Sequence, residues 1–391
     1  MSQLSSIYPE WSSRAGRTIL QTAGYKAFFP ASLPPEPSIQ IEGELQTLLS
    51  LADRALGRLD GSIQTLPNAD LFVFMYVRKE AVLSSQIEGT QSSLTDLLAA
   101  EAKILSFQTP KDVDEVVNYV GAMKYGLDRL KELPLSVRLI TEIHRELLQG
   151  VRGSHLTPGE LRRSQNWIGP SGCTLAEASF VPPPPHEVPE ALGNLERFLH
   201  EGSSLPALIQ IGLAHAQFET IHPFLDGNGR VGRLLITFLL CQREILIKPV
   251  LYLSHYFKKH RSDYYEHLQR IRDTGDWESW LKFFLKGVVE VSAEATETAR
   301  RILLLRETHR MMITEKLGRA AGNGHRLLEY LFQHPILSVA EVQKLTGTTF
   351  PAANNLVSRL VEQGMVQEIT GNRRNRQFRY GPYIRLFGEN L

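Results

Sequence analysis

Residues able to do chemistry crowd into Ile221-His222-Pro223-Phe224-Leu225-Asp226-Gly227-Asn228-Gly229-Arg230-Val231-Gly232-Arg233. His222 carries an imidazole, which titrates near neutral pH and can take a proton from a hydroxyl. Asp226 offers a hard oxygen for Mg²⁺, and its other reading is a helix N-cap. Gly227 and Gly229 let the backbone turn sharply and come close to an anion. The apolar run 234–241 that follows reads as a buried helix. The glycines then sit at its N-terminus, where free N–H groups and the positive end of the dipole suit a phosphate. Arg230 and Arg233 lie three residues apart on one face of that helix and would neutralise a polyphosphate. The stretch from Gly227 through Asn228, Gly229, Arg230, Val231 and Gly232 to Arg233 is therefore the candidate phosphate cradle.

Gly227, Gly229 and Gly232 also satisfy G-x-G-x-x-G. A dinucleotide fold needs a strand before that pattern and an acid about twenty residues after it. Here residues 207–218 precede it with Leu208, Ile211, His215 and Phe218 at helical spacing, and Glu244 comes too early. The dinucleotide reading is set aside on that context.

In register, the same residues fill every specified position of the H-P-F-x-[D/E]-G-N-G-R-x-x-R signature, and the chain resembles the Fic family. The resemblance implies a mainly α protein with a Fic-type helical core and a small β-hairpin flap; a C-terminal winged-helix module is read separately, from the three helices and two strands that follow residue 322. The resemblance also implies transfer of AMP from ATP onto a hydroxyl of a target protein and onto the chain itself, with His222 as base, Mg²⁺ at Asp226 and ATP as substrate. Ser84-x-x-x-Glu88-Gly89 matches the family's inhibitory motif, [S/T]-x-x-x-E-[G/N], in the class with an N-terminal inhibitory helix. Glu88 would then pair with Arg233 and deny it to the γ-phosphate, since a guanidinium satisfied bidentately by a carboxylate cannot also grip a phosphate. Residues 157–186 correspond to the flap, with Trp167 and Ile168 beside the nucleotide; it would align a target protein by strand addition. Tyr264, or its neighbour Tyr265, would line the adenine and ribose pocket. Two further readings stay open: the same site removing AMP from a modified protein, and a DNA-binding regulator that senses nucleotide.

The elements that must hold these groups are mostly helical. Spacing predicts helices over 39–59, 71–87, 112–130, 135–148 and 189–199, with Gly89 as the C-cap of the second. Pro and Gly break the helical pattern over 157–186, and a short hairpin pairs 167–169 with 178–181. Residues 1–38, rich in proline and aromatics, read as an extended arm wrapped on the domain. A long helix over 288–317 leads to helices over 325–333, 338–345 and 351–362 and strands over 366–369 and 377–380. Arg373, Arg374, Arg376 and Arg379 cluster around the last turn, where DNA phosphates are one expected partner. The division expected is an N-terminal arm with the inhibitory helix (1–110), a catalytic core (111–290), a linker helix (291–322) and the winged helix (323–391).

At 391 residues the chain can bury a large core and form two or three domains. Its 43 basic and 42 acidic side chains leave a formal charge of +1, so only a local patch could favour nucleic acid. Cys173 and Cys241 show no metal or redox spacing, as in a reducing compartment. Residues 1–13 lack the pattern of a secretory signal, and no stretch has the apolar length to span a bilayer. A cytoplasmic protein without membrane contact is the corresponding expectation; the family resemblance adds a homodimer as one assembly the chain could form.

Overall fold

The computed structural model describes residues 14–64, 69–102, 110, 112–170, 172–202 and 204–388. The first part of the expected arm, residues 1–13, lies outside them. The remainder is a hairpin, β1 (Gly16–Leu20) antiparallel to β2 (Lys26–Pro30). Arg14 pairs with Glu278 at 2.7 Å, and Phe28 N–H donates to the Val181 carbonyl at 2.9 Å, so the hairpin is fastened to the flap.

Helices α1 (Gly43–Gln64) and α2 (Asp70–Ile87) follow. Gly89, at φ +97°, ends α2 in a Schellman arrangement: Gly89 N–H donates to Gln86 O at 3.1 Å and Thr90 N–H to Ser85 O at 3.2 Å. A short helix that periodicity missed, α3 (Leu94–Glu101), starts at a capping box made by Ser93 and Asp96. Next come α4 (Val113–Arg129) and α5 (Val137–Leu147), the flap, and α6 (Val188–His200).

The centre is α7 (Ala207–Ile221) packed on α8 (Asn228–Gln242), both apolar on nearly every side. Their core side chains, from Leu208 to Phe218 and from Val231 to Leu240, are almost wholly withdrawn from water. Such all-round burial fixes the connecting loop, 222–227, with little freedom. Helices α9 (Ser254–Lys259) and α10 (Arg261–Thr274) close the far side.

The long helix, α11, spans Trp277–Leu317 rather than starting near 288, with Asp276 as N-cap accepting from Ser279 N–H at 3.2 Å. Its 41 residues run from the core into the C-terminal unit. That unit holds α12 (Ala321–Gln333), β3 (Ile336–Ser338), α13 (Val339–Thr346), α14 (Phe350–Glu362), β4 (Gln367–Glu368), β5 (Gln377–Arg379) and α15 (Gly381–Ile384). Its sheet has the order β3-β5-β4, all antiparallel, so a third strand joins the two expected. The unit leans on α2: the Phe387 ring meets Tyr76 edge-on at 5.4 Å, and Tyr76 Oη donates to the Ala295 carbonyl at 2.8 Å. Among the described residues no helix is long and apolar enough to cross a membrane.

Candidate active site

The loop between α7 and α8 carries the signature. α7 ends at His222, which adopts the left-handed conformation (φ +49°) as C-cap, and α8 begins after Gly227 at φ +77°. Gly227, not Asp226, is the N-cap; the Asp226 carboxylate instead accepts from the Gly227 N–H at 2.6 Å. The first helical bond of α8 is Val231 N–H to Gly227 O at 3.0 Å. The N–H groups of Asn228, Gly229 and Arg230 thus have no acceptor within the helix and point out of its positive end. His222, Asp226 and Gly229 remain partly exposed there.

Asn228 acts differently from the expectation that its amide would touch phosphate. Its side chain is buried, accepts from Phe224 N–H at 2.9 Å and donates to Phe224 O at 2.8 Å, closing the loop on itself. Val231 is core packing. Gly232 is required by a neighbour: a Cβ there would lie 2.1 Å from Glu219 Oε1. That third glycine, which completes the misleading G-x-G-x-x-G, makes room for a buried carboxyl. Arg230 is likewise not beside Arg233. It is 1% exposed, 3.1 Å from Glu115 of α4 and 3.6 Å from Asp226. Three residues along a helix turn a side chain by about 60°, enough to send Arg230 toward α4 and Arg233 toward α2.

Arg233 reaches the end of α2. Its Nε donates to Ser84 Oγ at 2.8 Å, and its Nη2 to Ser84 O at 2.9 Å and Glu88 Oε1 at 2.7 Å. The carboxylate contact is through a single oxygen, not bidentate; the serine supplies the remaining acceptors. Burial pushes the Glu88 carboxyl upward, but Arg233 outweighs it and holds the group below the usual carboxylate range. The guanidinium is correspondingly fixed in its charged form, against the pull of burial. Glu88 also stands over the cradle: a Cβ on Gly229 would lie 2.2 Å from its Oε1.

Withdrawal from water, then the positive charge of Arg272, lowers the His222 pKa to about 4, so the ring is neutral at pH 7. Its Nδ1 lies 3.4 Å from the Glu219 carbonyl, which favours the tautomer with Nε2 unprotonated. Arg272 donates to that same carbonyl at 3.4 Å and covers the Phe180 ring of the flap at 3.8 Å. Glu219 keeps one oxygen buried without a hydrogen-bond partner, and burial raises its pKa to about 7.

The flap is held at its root by side chains that sequence reasoning passed over. Arg162, 2% exposed, donates to the carbonyl oxygens of His222 at 2.9 Å, Ile221 at 3.4 Å and Pro183. Asn166 donates to His222 O at 3.2 Å and Phe224 O at 2.8 Å. The expected hairpin reduces to one antiparallel bridge, Ile168 to Phe180, with N–H···O distances of 2.8 and 3.0 Å. Ile168 packs on Ala15, Phe28 and Phe180, and Trp167 stays 41% exposed. Of the two tyrosines, Tyr264 is buried with its hydroxyl 2.9 Å from His215 Nε2, while Tyr265 is 41% exposed and is the accessible ring.

Two family models match this chain: the Fic/DOC family N-terminal region over residues 46–128 and the Fic/DOC family over 134–240. The chain belongs to the Fic/DOC family. It is 28% identical over 300 residues to the protein adenylyltransferase Fic of Drosophila ananassae, covering 71% of this chain and 55% of that one. The Drosophila persimilis protein of the same name is 30% identical over 200 residues, covering 50% of this chain and 34% of that one. The chain thus spans only part, at most about half, of the length of these relatives. Its fold is similar to a Fic family protein from Desulfovibrio desulfuricans, with TM-score 0.58, 19% identity and coverage of 88% and 97%. A Fic domain containing signaling protein from Bacteroides thetaiotaomicron gives TM-score 0.51, 20% identity and coverage of 66% and 97%. Ser84, Glu88 and Gly89 fall within the stretch matched by the N-terminal model of the Fic/DOC family.

Proposed function

We propose that this Fic chain transfers AMP from ATP to a hydroxyl side chain of a target protein, and to itself, and that Glu88 holds it in check. One observation carries the reading: Arg233, in the second turn of α8, is engaged by Ser84 and Glu88. The free N–H groups of Asn228 and Gly229 receive the phosphates. Neutral His222 accepts the hydroxyl proton at Nε2 as the oxygen attacks the α-phosphorus and pyrophosphate leaves. Arg233, once released by Glu88, binds the γ-phosphate and fixes the triphosphate in line.

Asp226 fits Mg²⁺: its carboxylate is a third exposed at the cradle's edge, and Mg²⁺ favours one or two carboxylates plus substrate phosphates. Among the described residues no cluster of three ligating side chains offers a protein-only cage. Bound there, Mg²⁺ would neutralise charge on the phosphates. The flap, 157–186, would align the target's backbone, and accessible Tyr265 is the ring best set to meet adenine.

The test uses Glu88→Gly incubated with ATP labelled on the α- or the γ-phosphate. Label from the α-position alone supports AMP transfer; label from the γ-position, or none, overturns it. Removal of AMP is the second reading, favoured by the partly exposed Glu88 carboxylate over the cradle, and a pre-modified target tests it directly. For the C-terminal unit we propose nucleic-acid docking through Arg373 and Arg374, exposed in the turn between β4 and β5. Arg376 and Arg379 are engaged with Asn354 and Gln367. A salt-dependent gel shift, lost when Arg373 and Arg374 become Gln, is the expected result; no shift with genomic DNA removes this partner.

A further inference from the structure

His144 lies outside the signature, yet three parts of the site meet on it. It occupies the apolar face of α5 with Ile140, Ile143 and Leu147 and is fully buried. Gly159 N–H, at the root of the flap, donates to its Nδ1 at 2.8 Å. A backbone amide can only donate, so Nδ1 must be the unprotonated nitrogen. The proton therefore sits on Nε2, which donates to the Asp226 carbonyl at 3.0 Å. The ring lies flat on Phe224, with centroids 3.7 Å apart and planes 5° from parallel. Beneath the start of α8, the position of a Cβ on Gly227 would fall 3.5 Å from the same ring.

One imidazole thus joins the flap root, the apolar floor of the loop and the backbone that carries Asp226. Its two nitrogens do opposite work, accepting from the flap and donating to the cradle. Only the Nε2–H tautomer does both, and the Gly159 N–H at Nδ1 selects it. Arg162 and Asn166 anchor the flap to residues 221–224, upstream of Asp226. Among the polar side chains described here, His144 is the one that connects the flap to Asp226 itself.

We propose that His144 is a positioning residue that fixes the acceptor-docking flap and the Asp226 edge of the phosphate cradle in one mutual geometry. The proposal rests on the reading of that cradle as the ATP site, and its consequence is for the chemical step. A target hydroxyl aligned by the flap and an α-phosphorus held by α8 must meet within a fraction of an ångström. Ground-state binding of ATP, supplied by Arg233 and the helix N–H groups, does not pass through His144.

Three substitutions separate the roles, all made in the Glu88→Gly background. In His144→Gln the side-chain amide reaches as far as Nε2 and keeps a donor for Asp226 O. In His144→Asn the amide oxygen takes the place of Nδ1 and keeps an acceptor for Gly159 N–H. His144→Leu keeps the volume and neither bond. For Leu we expect AMP transfer at saturating ATP to fall about 10- to 100-fold, with the Kd of ATP moving less than about threefold. Hydrogen exchange of peptides covering 157–163 and 166–181 should accelerate in Leu and Gln, and stay near the parent in Asn. Part of kcat should return in Gln. A Leu variant with parental kcat and parental flap exchange overturns the proposal; so does a loss of kcat that Gln and Leu share equally alongside unchanged exchange. If the Glu88→Gly parent itself transfers no AMP, the functional reading fails, while the exchange pattern still decides whether His144 ties the flap to the cradle.

Discussion

Replacing Glu88 with Gly exposes both an energetic and a functional consequence of one contact. Arg233 is 2% exposed and loses the carboxylate that accepts from it at 2.7 Å. Breaking a buried pair from one side costs roughly 3–5 kcal/mol, because a charge is left uncompensated. Two features place this case at the low end, about 3 kcal/mol. The Glu88 side chain is 32% exposed, and Ser84 still accepts two bonds from the guanidinium. The variant should therefore melt lower than the parent when no nucleotide is present. The same energy, read as the bias that keeps Arg233 from a phosphate, corresponds to about two powers of ten in the population of available guanidinium. Self-labelling with α-labelled ATP should rise by up to that factor. ATP supplies the missing negative charge, so it should stabilise the variant more than the parent; at 100 times its Kd it contributes about 2.7 kcal/mol. Thermal unfolding and labelling at matched ATP and Mg²⁺ concentrations measure both. Lower stability without increased labelling, or increased labelling with no extra response to ATP, would refute the idea that the carboxylate and the triphosphate compete for one side chain.

Other consequences are independent of that variant. His222→Ala in the Glu88→Gly background should abolish AMP transfer while the urea midpoint stays near the parent, since among the described residues the ring makes one long bond, at 3.4 Å; transfer that persists would rule out the base. Gly232→Ala drives a methyl to 2.1 Å from Glu219 Oε1 and should cost about 1–3 kcal/mol in urea unfolding. Adding Glu219→Ala should return much of that loss. In acid, three histidines held as neutral rings in the fold, His144 and His222 at about 4 and His215 at about 3, gain protons on unfolding, so they destabilise the fold as pH drops below 6.5. Glu80 and Glu219, raised to about 7, stay protonated in the fold where the unfolded chain ionises, and oppose this. Near pH 5.5 these five groups together contribute roughly one proton, or about 1.4 kcal/mol per pH unit, and changing both carboxyls to Gln should steepen the measured slope by roughly two protons; a slope that does not change contradicts the assignment. Phe387→Ala removes the ring braced on Tyr76 of α2, and should raise labelling when Glu88 is present but not in Glu88→Gly; an equal change in both backgrounds would mean general damage.

What the sequence disclosed follows from where each determinant lies along the chain. The cradle is contiguous, so its glycines, its acid and its histidine could be read from one stretch, and α7 and α8 from the apolar runs on either side. The link from Ser84 and Glu88 to Arg233 crosses 149 and 145 positions and was legible only through a family motif, because spacing within one helix says nothing about another. Two glycines serve neighbours that lie far off in sequence. α11 runs through Gly287, one residue before the start read at 288, and the missing side chain serves close approach of Tyr256, 2.6 Å from where a Cβ would be. Gly232 reads as part of a phosphate loop and instead accommodates Glu219. A glycine marks a place where an atom cannot be tolerated, and the sequence does not say whether the intruder is a ligand, a ring or a carboxyl.

Arg230 fails for the complementary reason: its charge was visible but its counter-charge, Glu115, is 115 residues away. A buried guanidinium goes to the carboxylate that pairs with it, so the direction of an arginine is a tertiary property even when its place on a helix is known. His144 did leave a usable trace. A histidine between Ile140, Ile143 and Leu147 on the apolar face of a short helix must find partners for both nitrogens or forfeit their hydration. Such a residue, upstream of a Pro-Gly break that begins a flap, is therefore a stronger indicator of a structural joint than the exposed charges around it, because only a fixed donor and a fixed acceptor on either side can repay its burial.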